Sequence, residues 1–203
     1  AKLIWSISPD FVIIPAHAWT PWFAIFGSKS GFNSIAECFG DLTPNIFAIE
    51  TGLSSDPLMN WRLSQLDNIS LVSNSDAHSL PNLGREATVF ELEKPTIQNI
   101  REALDKRQVD SIGRPAERGS LQNDRKNKIA YTIEFYPQEG KYHYDGHLAC
   151  RVSMAPAETK KHQGLCPKCK RPMTLGVDYR VSELADRSES KKNGDFKYIV
   201  PLA

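Results

Sequence analysis

The 203-residue sequence predicts an α/β fold that is followed by a small zinc-binding module. Three short apolar runs are each followed by a residue that can bind a metal ion or transfer a proton, and segments with helix signals lie between the runs. Later in the chain, two pairs of His and Cys residues have the spacing of zinc ligands. We therefore assign residues 1–125 to the α/β part and residues 126–203 to the module.

The apolar runs are rich in β-branched and aromatic residues, as strands buried on both faces are. They are residues 10–15, 46–49 and 69–73. His17 follows the first run, Glu50 the second and Asp76 the third, at spacings of 33 and 26 residues. These spacings suit successive strand–helix units, so we expect the strands to be parallel.

Metal-binding side chains follow all three runs, at the point where each strand ends. The candidates are His17, Glu50, Asp76 and His78. Because the C-terminal ends of parallel strands meet at one edge of a sheet or barrel, we expect these side chains to converge there. Together they can hold divalent metal ions that generate hydroxide and bind a phosphate ester. The alternative is that Asp76 and His78 are polar residues of an ordinary turn or cap.

Helix signals lie between the runs. Ser34 and Asp56 can cap the first turn of a helix, and Pro57 suits that first turn. The sequence therefore predicts helices over residues 35–39 and 59–66.

The boundary between the two predicted parts lies between residues 87 and 136. Residues 87–90 are expected to form another strand, and a helix that begins near Thr96 is expected to close the first domain. One face of this helix carries Ile97, Ile100 and Leu104. Residues 107–128 are polar and contain Pro, Gly and an Asn-Asp pair, as a linker does. A strand at 131–136 then leads into the zinc module.

The most specific local pattern is a His-x-x-Cys pair followed, after 15 residues, by a Cys-x-x-Cys pair. The ligands would be His147, Cys150, Cys166 and Cys169. Two ligand pairs on tight turns are what a tetrahedral structural zinc requires, and a module this small depends on its metal to fold. Two alternatives remain open. His143 could replace His147, or the Cys-x-x-Cys could be redox-active beside a free Cys150.

Charge is distributed unevenly along the chain. The net charge is +1, but residues 141–203 carry 12 basic and 7 acidic side chains. Such an excess suits contact with phosphate groups, although a solvated surface has the same composition. No apolar run reaches the roughly 18 residues of a membrane span, and the first residues do not resemble a signal peptide. We therefore expect a cytoplasmic protein without a membrane partner.

A loop rich in aromatic residues follows His17. Trp19 and Trp22 are candidates for stacking on nucleobases, although core packing is the commoner role of a tryptophan. The segment at residues 26–32 lacks the spacing of a nucleotide-binding loop, but its Lys29 is a candidate phosphate contact.

Six segments of the sequence are long and distinctive. They are IPAHAWTPWF (14–23), FGSKSGF (26–32), ETGLSSDP (50–57), SNSDAH (73–78), FYPQEGKYHYDGH (135–147) and LADR (184–187). Together they resemble the endonuclease Q family, whose members are DNA-repair nucleases built on the PHP (polymerase and histidinol phosphatase) domain. The resemblance covers nearly the whole chain and includes the zinc module.

The resemblance implies the C-terminal part of a distorted β/α barrel of the PHP type, followed by a zinc-binding domain. It also implies that His17, Glu50, Asp76 and His78 are catalytic ligands of Zn²⁺, Mn²⁺ or Mg²⁺, apart from the structural Zn²⁺. The first half of the family's barrel supplies an early His-x-His pair that has no counterpart here. We therefore expect a C-terminal piece of a longer protein, and whether this piece cleaves DNA by itself is left open.

The activity that the resemblance implies is metal-dependent hydrolysis of DNA on the 5′ side of deaminated bases and abasic sites. The hypothesis is that a metal-bound hydroxide attacks the phosphorus in line while the lesion lies outside the base stack. Two other interpretations are a PHP phosphoesterase acting on small phosphate monoesters and a non-catalytic remnant that binds DNA.

Overall fold

The computed structural model describes residues 1–8, 10–106 and 126–200. The helices in these ranges are α1 (Lys2–Ile7), α2 (Ile35–Phe39), α3 (Pro57–Asn60), α4 (Ile97–Leu104), α5 (Pro156–Lys161) and α6 (Val177–Leu184). The strands are β1 (Ala48–Glu50), β2 (Ser70–Val72), β3 (Ala87–Glu91), β4 (Lys128–Glu134), β5 (Asp145–His147), β6 (Val152–Met154) and β7 (Phe196–Tyr198). None of the described helices is long and apolar enough to span a bilayer.

The described strands form three sheets. β1 and β2 pair in parallel, β5 and β6 form an antiparallel pair, and the third sheet has the order β3-β4-β7. In the third sheet, β4 is antiparallel to β3 and parallel to β7. The predicted α/β class is confirmed, and the second and third apolar runs form the parallel pair.

β1 and β2 lie between two groups of buried apolar side chains, and every residue of both strands is buried. The larger group includes Trp19, Phe26 and Ile49, together with two valines of α6. The smaller group includes Phe47 and Val72, so successive residues of the strands face opposite groups. Burial on both faces explains why these strands are continuously apolar in the sequence.

The strand expected at residues 10–15 is not formed, and this prediction was wrong. Pro15 O accepts a hydrogen bond from Glu50 N–H at the end of β1 (3.0 Å), and Ala18 N–H, just after the segment, donates to Glu50 O (3.1 Å). Pro15 has no N–H to donate, so a continuous ladder cannot form there. Val12 and Ile14 nevertheless pack against the smaller apolar group, which places His17 beside β1.

The helix predicted over residues 59–66, behind a cap at Asp56 and a first-turn Pro57, begins as expected but is shorter. Asp56 caps it, because its Oδ1 accepts a hydrogen bond from Met59 N–H at 2.8 Å, and α3 then ends at Asn60. Leu63 has an extended backbone, and a turn of 3₁₀ helix follows at Ser64–Leu66. Both leucines are buried, so burial of their side chains replaces helix continuation.

The other capped helices follow the sequence signals. The Ser34 hydroxyl accepts a hydrogen bond from Glu37 N–H at the start of α2, and Thr96 does the same for Asn99 N–H in α4. In both cases the capping side chain satisfies an N–H that the first helical turn leaves free.

Residues before and after the predicted linker share one sheet and one core. β4 pairs with β3, and Val177 and Val181 of α6 belong to the same buried group as Trp19. The strand expected at 131–136 lies at Lys128–Glu134. Most of the predicted linker, residues 107–125, is outside the described residues, and the division at residue 125 stays a prediction.

Candidate functional site

Glu50 lies at the edge where β1 and β2 end, and hydrogen bonds hold its carboxylate in place. Its side chain is only 7% exposed, and both carboxylate oxygens accept hydrogen bonds. One bond comes from His17 N–H (2.9 Å) and the other from Asn74 Nδ2 (2.9 Å). The carboxylate of Glu50 therefore joins the segment after the first apolar run to the loop after β2.

His17 lies directly against the loop that leaves β1. A Cβ on Gly52 would lie 3.0 Å from His17 Cα, so only glycine fits this approach, and Gly52 also has φ +70°. The Nδ1 atom of His17 is 3.1 Å from Thr20 Oγ1, and this hydroxyl donates to Trp22 O at 3.0 Å. In the tautomer in which Nδ1 donates to this hydroxyl, Nε2 keeps its lone pair for a metal.

Asp76 and His78 lie side by side in the loop after β2. His78 Nδ1 is 2.9 Å from Asp76 O and 4.0 Å from Asp76 Oδ1, and the His78 side chain is 87% exposed. Arg85 Nε donates to Ser75 O at 2.8 Å and holds this loop in place. Asp76 has φ +45°, a left-handed conformation that aspartate tolerates better than most residues.

The four strand-end candidates therefore form two pairs rather than one cluster. The pairs are His17 with Glu50, and Asp76 with His78. Their carboxylate oxygens and imidazole nitrogens suit a divalent cation. Over residues 1–8, 10–106 and 126–200, however, these side chains do not form a group of three ligand atoms within metal-binding distance. Their role as catalytic metal ligands stays a prediction.

Two buried glutamates beneath this edge were missed in the sequence. Glu134 Oε2 accepts a hydrogen bond from Thr51 Oγ1 (2.9 Å), and Glu86 Oε1 accepts one from Phe135 N–H (3.2 Å). The remaining oxygen of each carboxyl has no hydrogen-bond partner in the described part of the chain. Glu134 ends the apolar strand β4 in the same way that Glu50 ends β1, which is the signal that could have identified it.

Burial changes the acidity of both groups. Loss of hydration raises the pKa of Glu86 to about 8, with a further contribution from the charge of Glu134. Burial likewise raises the pKa of Glu134 to about 7, against the opposing effect of hydroxyl donors such as Thr51. At neutral pH these carboxyls therefore hold protons far more readily than an exposed glutamate does.

The four predicted zinc ligands do come together. One ligand atom from each lies within 4.8 Å of all the others, in a group made of His147, Cys150, Cys166 and Cys169. His147 ends β5, Cys150 lies in the following 3₁₀ turn, and the other two cysteines lie on a turn closed by a bridge between Leu165 and Pro172. Three sulfurs and one nitrogen at this spacing fit a closed tetrahedral zinc site.

Two of these cysteines lie in different environments. Burial alone would raise the pKa of Cys166, but amide hydrogens of Cys169 and Lys168 donate to its sulfur, and the net effect lowers the pKa. The pKa of Cys150 is raised to about 11, first by its hydrogen bond with Cys169 and then by burial. One thiolate is thus favoured before metal binds, and the remaining ligands are deprotonated on binding.

His143 does not take part in this group. Its ring is buried, and Nδ1 lies 3.1 Å from Ser54 O, which ties the start of the module to the loop after β1. The alternative in which His143 replaces His147 is therefore excluded by the geometry.

We define residues 17–32 as the aromatic loop. Trp19 is only 1% exposed and donates its indole N–H to Asn60 Oδ1 (2.8 Å), so the prediction that it stacks on a base was wrong. Its side chain fills the core, the commoner role of tryptophan. Trp22 is 41% exposed, and Lys29 is exposed as well. Their roles in nucleic-acid binding remain predictions.

Residues that follow the zinc ligands form hydrogen bonds with the aromatic loop. Arg180 of α6 donates from Nε to Phe26 O (3.0 Å) and from Nη2 to Phe32 O (3.2 Å). Ser28 Oγ donates to Leu175 O at 2.7 Å. The aromatic loop is therefore bonded to Asn60 in the first part of the chain and to Leu175 and Arg180 in the second.

Comparison with known proteins agrees with this architecture. The model of the family described as PHP-associated matches residues 60–109. The chain is 33% identical over 179 residues to the uncharacterized protein YqxK of Bacillus subtilis, covering 88% of this chain and 40% of that protein. It is 29% identical over 196 residues to an uncharacterized protein of Methanocaldococcus jannaschii, covering 92% of this chain and 22% of the relative. The chain thus spans less than half the length of these relatives.

Two solved structures are also similar. One is the lesion-specific endonuclease PfuEndoQ from Pyrococcus furiosus, with 32% identity, a TM-score of 0.71 and coverage of 98% of this chain and 44% of that one. The other is an endonuclease Q complex with a 27-mer duplex substrate that has an abasic lesion at the active site, with 29% identity, a TM-score of 0.74 and coverage of 98% and 46%. The chain is therefore similar to endonuclease Q over nearly its whole length, and part of it matches the PHP-associated family.

Proposed function

We propose that this chain belongs to a metal-dependent endonuclease that hydrolyses DNA on the 5′ side of deaminated or abasic lesions. One observation carries the proposal. A buried, doubly hydrogen-bonded Glu50 lies at the end of a parallel strand pair, and the adjoining His17 begins the aromatic loop, which exposes Trp22. Similarity to an endonuclease Q bound to abasic duplex DNA supports the same conclusion.

The residues at the strand ends have distinct roles in this proposal. His17 Nε2 and the acid groups of Glu50 and Asp76 are offered as ligands, with His78 beside Asp76. A divalent metal bound by such groups activates water and neutralises charge on a phosphodiester. The hydrogen bonds from His17 N–H and Asn74 fix the carboxylate of Glu50, so it needs little reorganisation when substrate binds.

The exposed part of the aromatic loop is suited to contact with DNA beside these groups. The Trp22 ring is accessible, and Lys29 contributes a positive charge that can contact a phosphate. Deaminated bases are mispaired and abasic sites lack a base, so extrusion of either nucleotide costs less than extrusion of a normal pair. Lesion preference then follows from the cost of deforming the duplex.

In this proposal, the metal of the Cys and His group is structural Zn²⁺. Its four ligands leave no open coordination position, which is the arrangement of structural rather than catalytic zinc. The segment after these ligands supplies Val177 and Val181 to the main core and Arg180 to the aromatic loop. Zinc would therefore stabilise the surface that contacts DNA without taking part in hydrolysis.

A second candidate is a DNA-binding protein without catalytic activity. It is favoured by the arrangement of the strand-end donors in two pairs. Both candidates predict binding to damaged duplex DNA, and they differ only in whether the backbone is cut.

The test uses end-labelled duplexes that differ at one position: an abasic analogue, uracil, hypoxanthine or the normal base. Cleavage is followed with Mg²⁺, Mn²⁺ or Zn²⁺ added, and the product is sized to locate the cut. We expect a cut 5′ of each lesion that is lost in Glu50→Gln and kept in Glu189→Gln, an exposed glutamate elsewhere in the chain.

Lesion-selective binding without cleavage under every metal would favour the non-catalytic candidate. Equal affinity for damaged and normal duplexes would contradict both. Release of phosphate from p-nitrophenyl phosphate with no action on DNA would instead support a phosphoesterase of small monoesters.

A further inference from the structure

Phe23 is an apolar side chain that the described fold leaves almost fully in water. It is 93% exposed, more than any other large apolar residue in the described part of the chain. Its backbone has φ +58°, a left-handed conformation that is rare for a bulky residue. A strained backbone costs free energy, and an exposed phenyl ring gains no burial that would offset this cost, so their combination at one position points to function.

The surrounding backbone holds this conformation firmly. Phe23 N–H donates to Ser30 Oγ (3.1 Å), and Lys29 N–H donates to Pro21 O (2.9 Å) across the loop. A Cβ on Gly27 would lie 2.4 Å from Thr20 O, so the chain segments approach too closely for any other residue. Phe23 is therefore presented on a compact turn.

The turn stands on a buried aromatic pair. Trp19 and Phe26 are both buried, and their ring centroids lie 4.5 Å apart beneath the exposed residues. Phe26 N–H donates to Ala18 O at 2.9 Å, which fastens the turn to the segment beside β1. Rigid support means that little conformational entropy is lost when the exposed ring binds a partner.

The surface around Phe23 combines aromatic rings with positive charge. Trp22 is half-exposed and makes an edge contact with Tyr142 at 6.1 Å between ring centroids. The ammonium group of Lys141 lies 5.2 Å from the centre of the Tyr142 ring, and Lys29 adds a second exposed cation. A projecting apolar tip flanked by cations matches a polyanion with a stacked apolar interior, which is the chemistry of duplex DNA.

We infer that Phe23 is a wedge that enters the base stack and fills the space left when a lesion nucleotide leaves the duplex. The inference rests on the proposed function and adds to it the residue that keeps the duplex open. Insertion removes the phenyl ring from water and replaces part of the stacking that the extruded nucleotide loses. Lys29 and Lys141 would contact the flanking phosphates.

The test uses the protein with a duplex that contains a tetrahydrofuran abasic analogue and 2-aminopurine as the adjoining base. Anisotropy of a labelled strand measures affinity, and 2-aminopurine fluorescence at saturating protein reports unstacking. We expect Phe23→Ala to weaken binding of the lesion duplex by about 5- to 150-fold, the range for loss of one aromatic–base contact. The rise in fluorescence should also be lost.

Three controls give the experiment its specificity. A single strand carrying the same lesion has no stack to open, so its affinity should change less than twofold in Phe23→Ala. Phe23→Leu keeps an apolar wedge and should recover part of the fluorescence rise. Phe11→Ala removes a half-exposed phenylalanine outside the aromatic loop and should behave as the unmodified protein does.

An unchanged fluorescence rise in Phe23→Ala, or an equal loss of affinity for single and double strands, would overturn the wedge while leaving the proposed function intact. A lower melting temperature of the unbound Phe23→Ala protein by more than about 4 °C would also overturn it, because the ring would then be packed against protein. If the unmodified protein does not prefer the lesion duplex, the proposed function fails first.

Discussion

At the scale of single residues, substitution of Asp76 can distinguish a catalytic role of this side chain from a structural one. Its side chain is half-exposed, and the described contacts of the loop are made mainly by backbone oxygens. We expect Asp76→Asn to lower the rate of lesion cleavage by about 100-fold or more, because the amide is a poor ligand for a hard divalent cation. Metal-dependent cleavage of an abasic duplex measures the effect.

The control for Asp76→Asn is stability. Thermal unfolding of the variant should stay within about 2 °C of the parent protein, since an exposed polar substitution changes stability little. Full activity in the variant would remove Asp76 from the site.

Glu86 provides a prediction about pH. Its folded-state pKa is raised to about 8 from an ordinary value near 4.5, so the unfolded chain loses this proton at lower pH than the folded chain does. Folding then binds a proton throughout that window, and the free energy of unfolding must fall as pH rises from 4.5 towards 8. The contribution of Glu86 is fully present below pH 4.5.

Glu86→Gln cannot ionise and should flatten this dependence. We expect the parent protein to lose about 2 to 4 kcal/mol between pH 5 and 8, at about 1.4 kcal/mol for each unit of pKa shift, and the variant to lose much less. Urea unfolding at several pH values provides the measurement. Glu139→Gln, at an exposed position, should keep the parental slope, and an equal slope in Glu86→Gln would disprove the assignment.

Residue identity was only a partial guide to burial. Trp19 and Trp22 are three positions apart in one aromatic segment, yet the first is in the core and the second at the surface. The difference depends on Asn60, 41 residues after Trp19, whose side chain accepts the indole N–H. Such long-range partners are not visible in a local pattern, and the same holds for the buried Glu86 and Glu134.

At the scale of elements, the zinc-binding group can be tested with a matched pair of cysteines. Cys166→Ser removes a buried ligand, whereas Cys38→Ser changes a free cysteine that lies outside the group. We expect the first variant to lose its zinc and about 5 kcal/mol or more of stability, because structural zinc contributes about 10 to 16 kcal/mol of apparent binding free energy in small peptides. The second variant should keep one zinc per chain.

Elemental analysis after dialysis and thermal unfolding measure the two effects. Equal zinc content in the two variants would show that the four side chains do not hold the metal.

Local elements were predicted best where particular residue types, such as metal ligands or helix caps, marked them. The spacing of His147, Cys150 and the later Cys-x-x-Cys brings one compact group together, and the caps at Ser34 and Thr96 mark helix starts. Elements that depend on neighbours were harder to predict. Residues 10–15 have the composition of a strand but lack a continuous ladder, and α3 stops early because the following leucines are drawn into the core.

At the scale of the whole molecule, an ion pair connects the segment after α6 to the residues just before β2. Arg187 donates from Nη1 and Nη2 to both carboxylate oxygens of Asp67, at 2.7 and 2.8 Å, and also contacts Trp61 O. We expect Arg187→Ala to lower the free energy of unfolding by about 2 kcal/mol, as for other hydrogen bonds that involve charged groups. Chemical unfolding checks the value.

A surface pair provides the comparison. Lys126 and Glu93 lie 2.9 Å apart but are both well exposed, so Lys126→Ala should lower the free energy of unfolding far less than Arg187→Ala does. A double-mutant cycle of Arg187→Ala with Asp67→Asn should show clear coupling. Additive effects in that cycle would mean that the contact between Arg187 and Asp67 contributes nothing of its own.

Arg180 connects the segment that follows the zinc ligands to the aromatic loop. Its guanidinium donates hydrogen bonds to the carbonyls of Phe26 and Phe32. Arg180 lies on α6, the first helix after the zinc ligands. If the proposed function is correct, removal of zinc should therefore lower the affinity for damaged DNA before any strand-end ligand is disturbed. Under the proposed function, DNA binding would then depend on zinc through Arg180, although this zinc takes no part in hydrolysis.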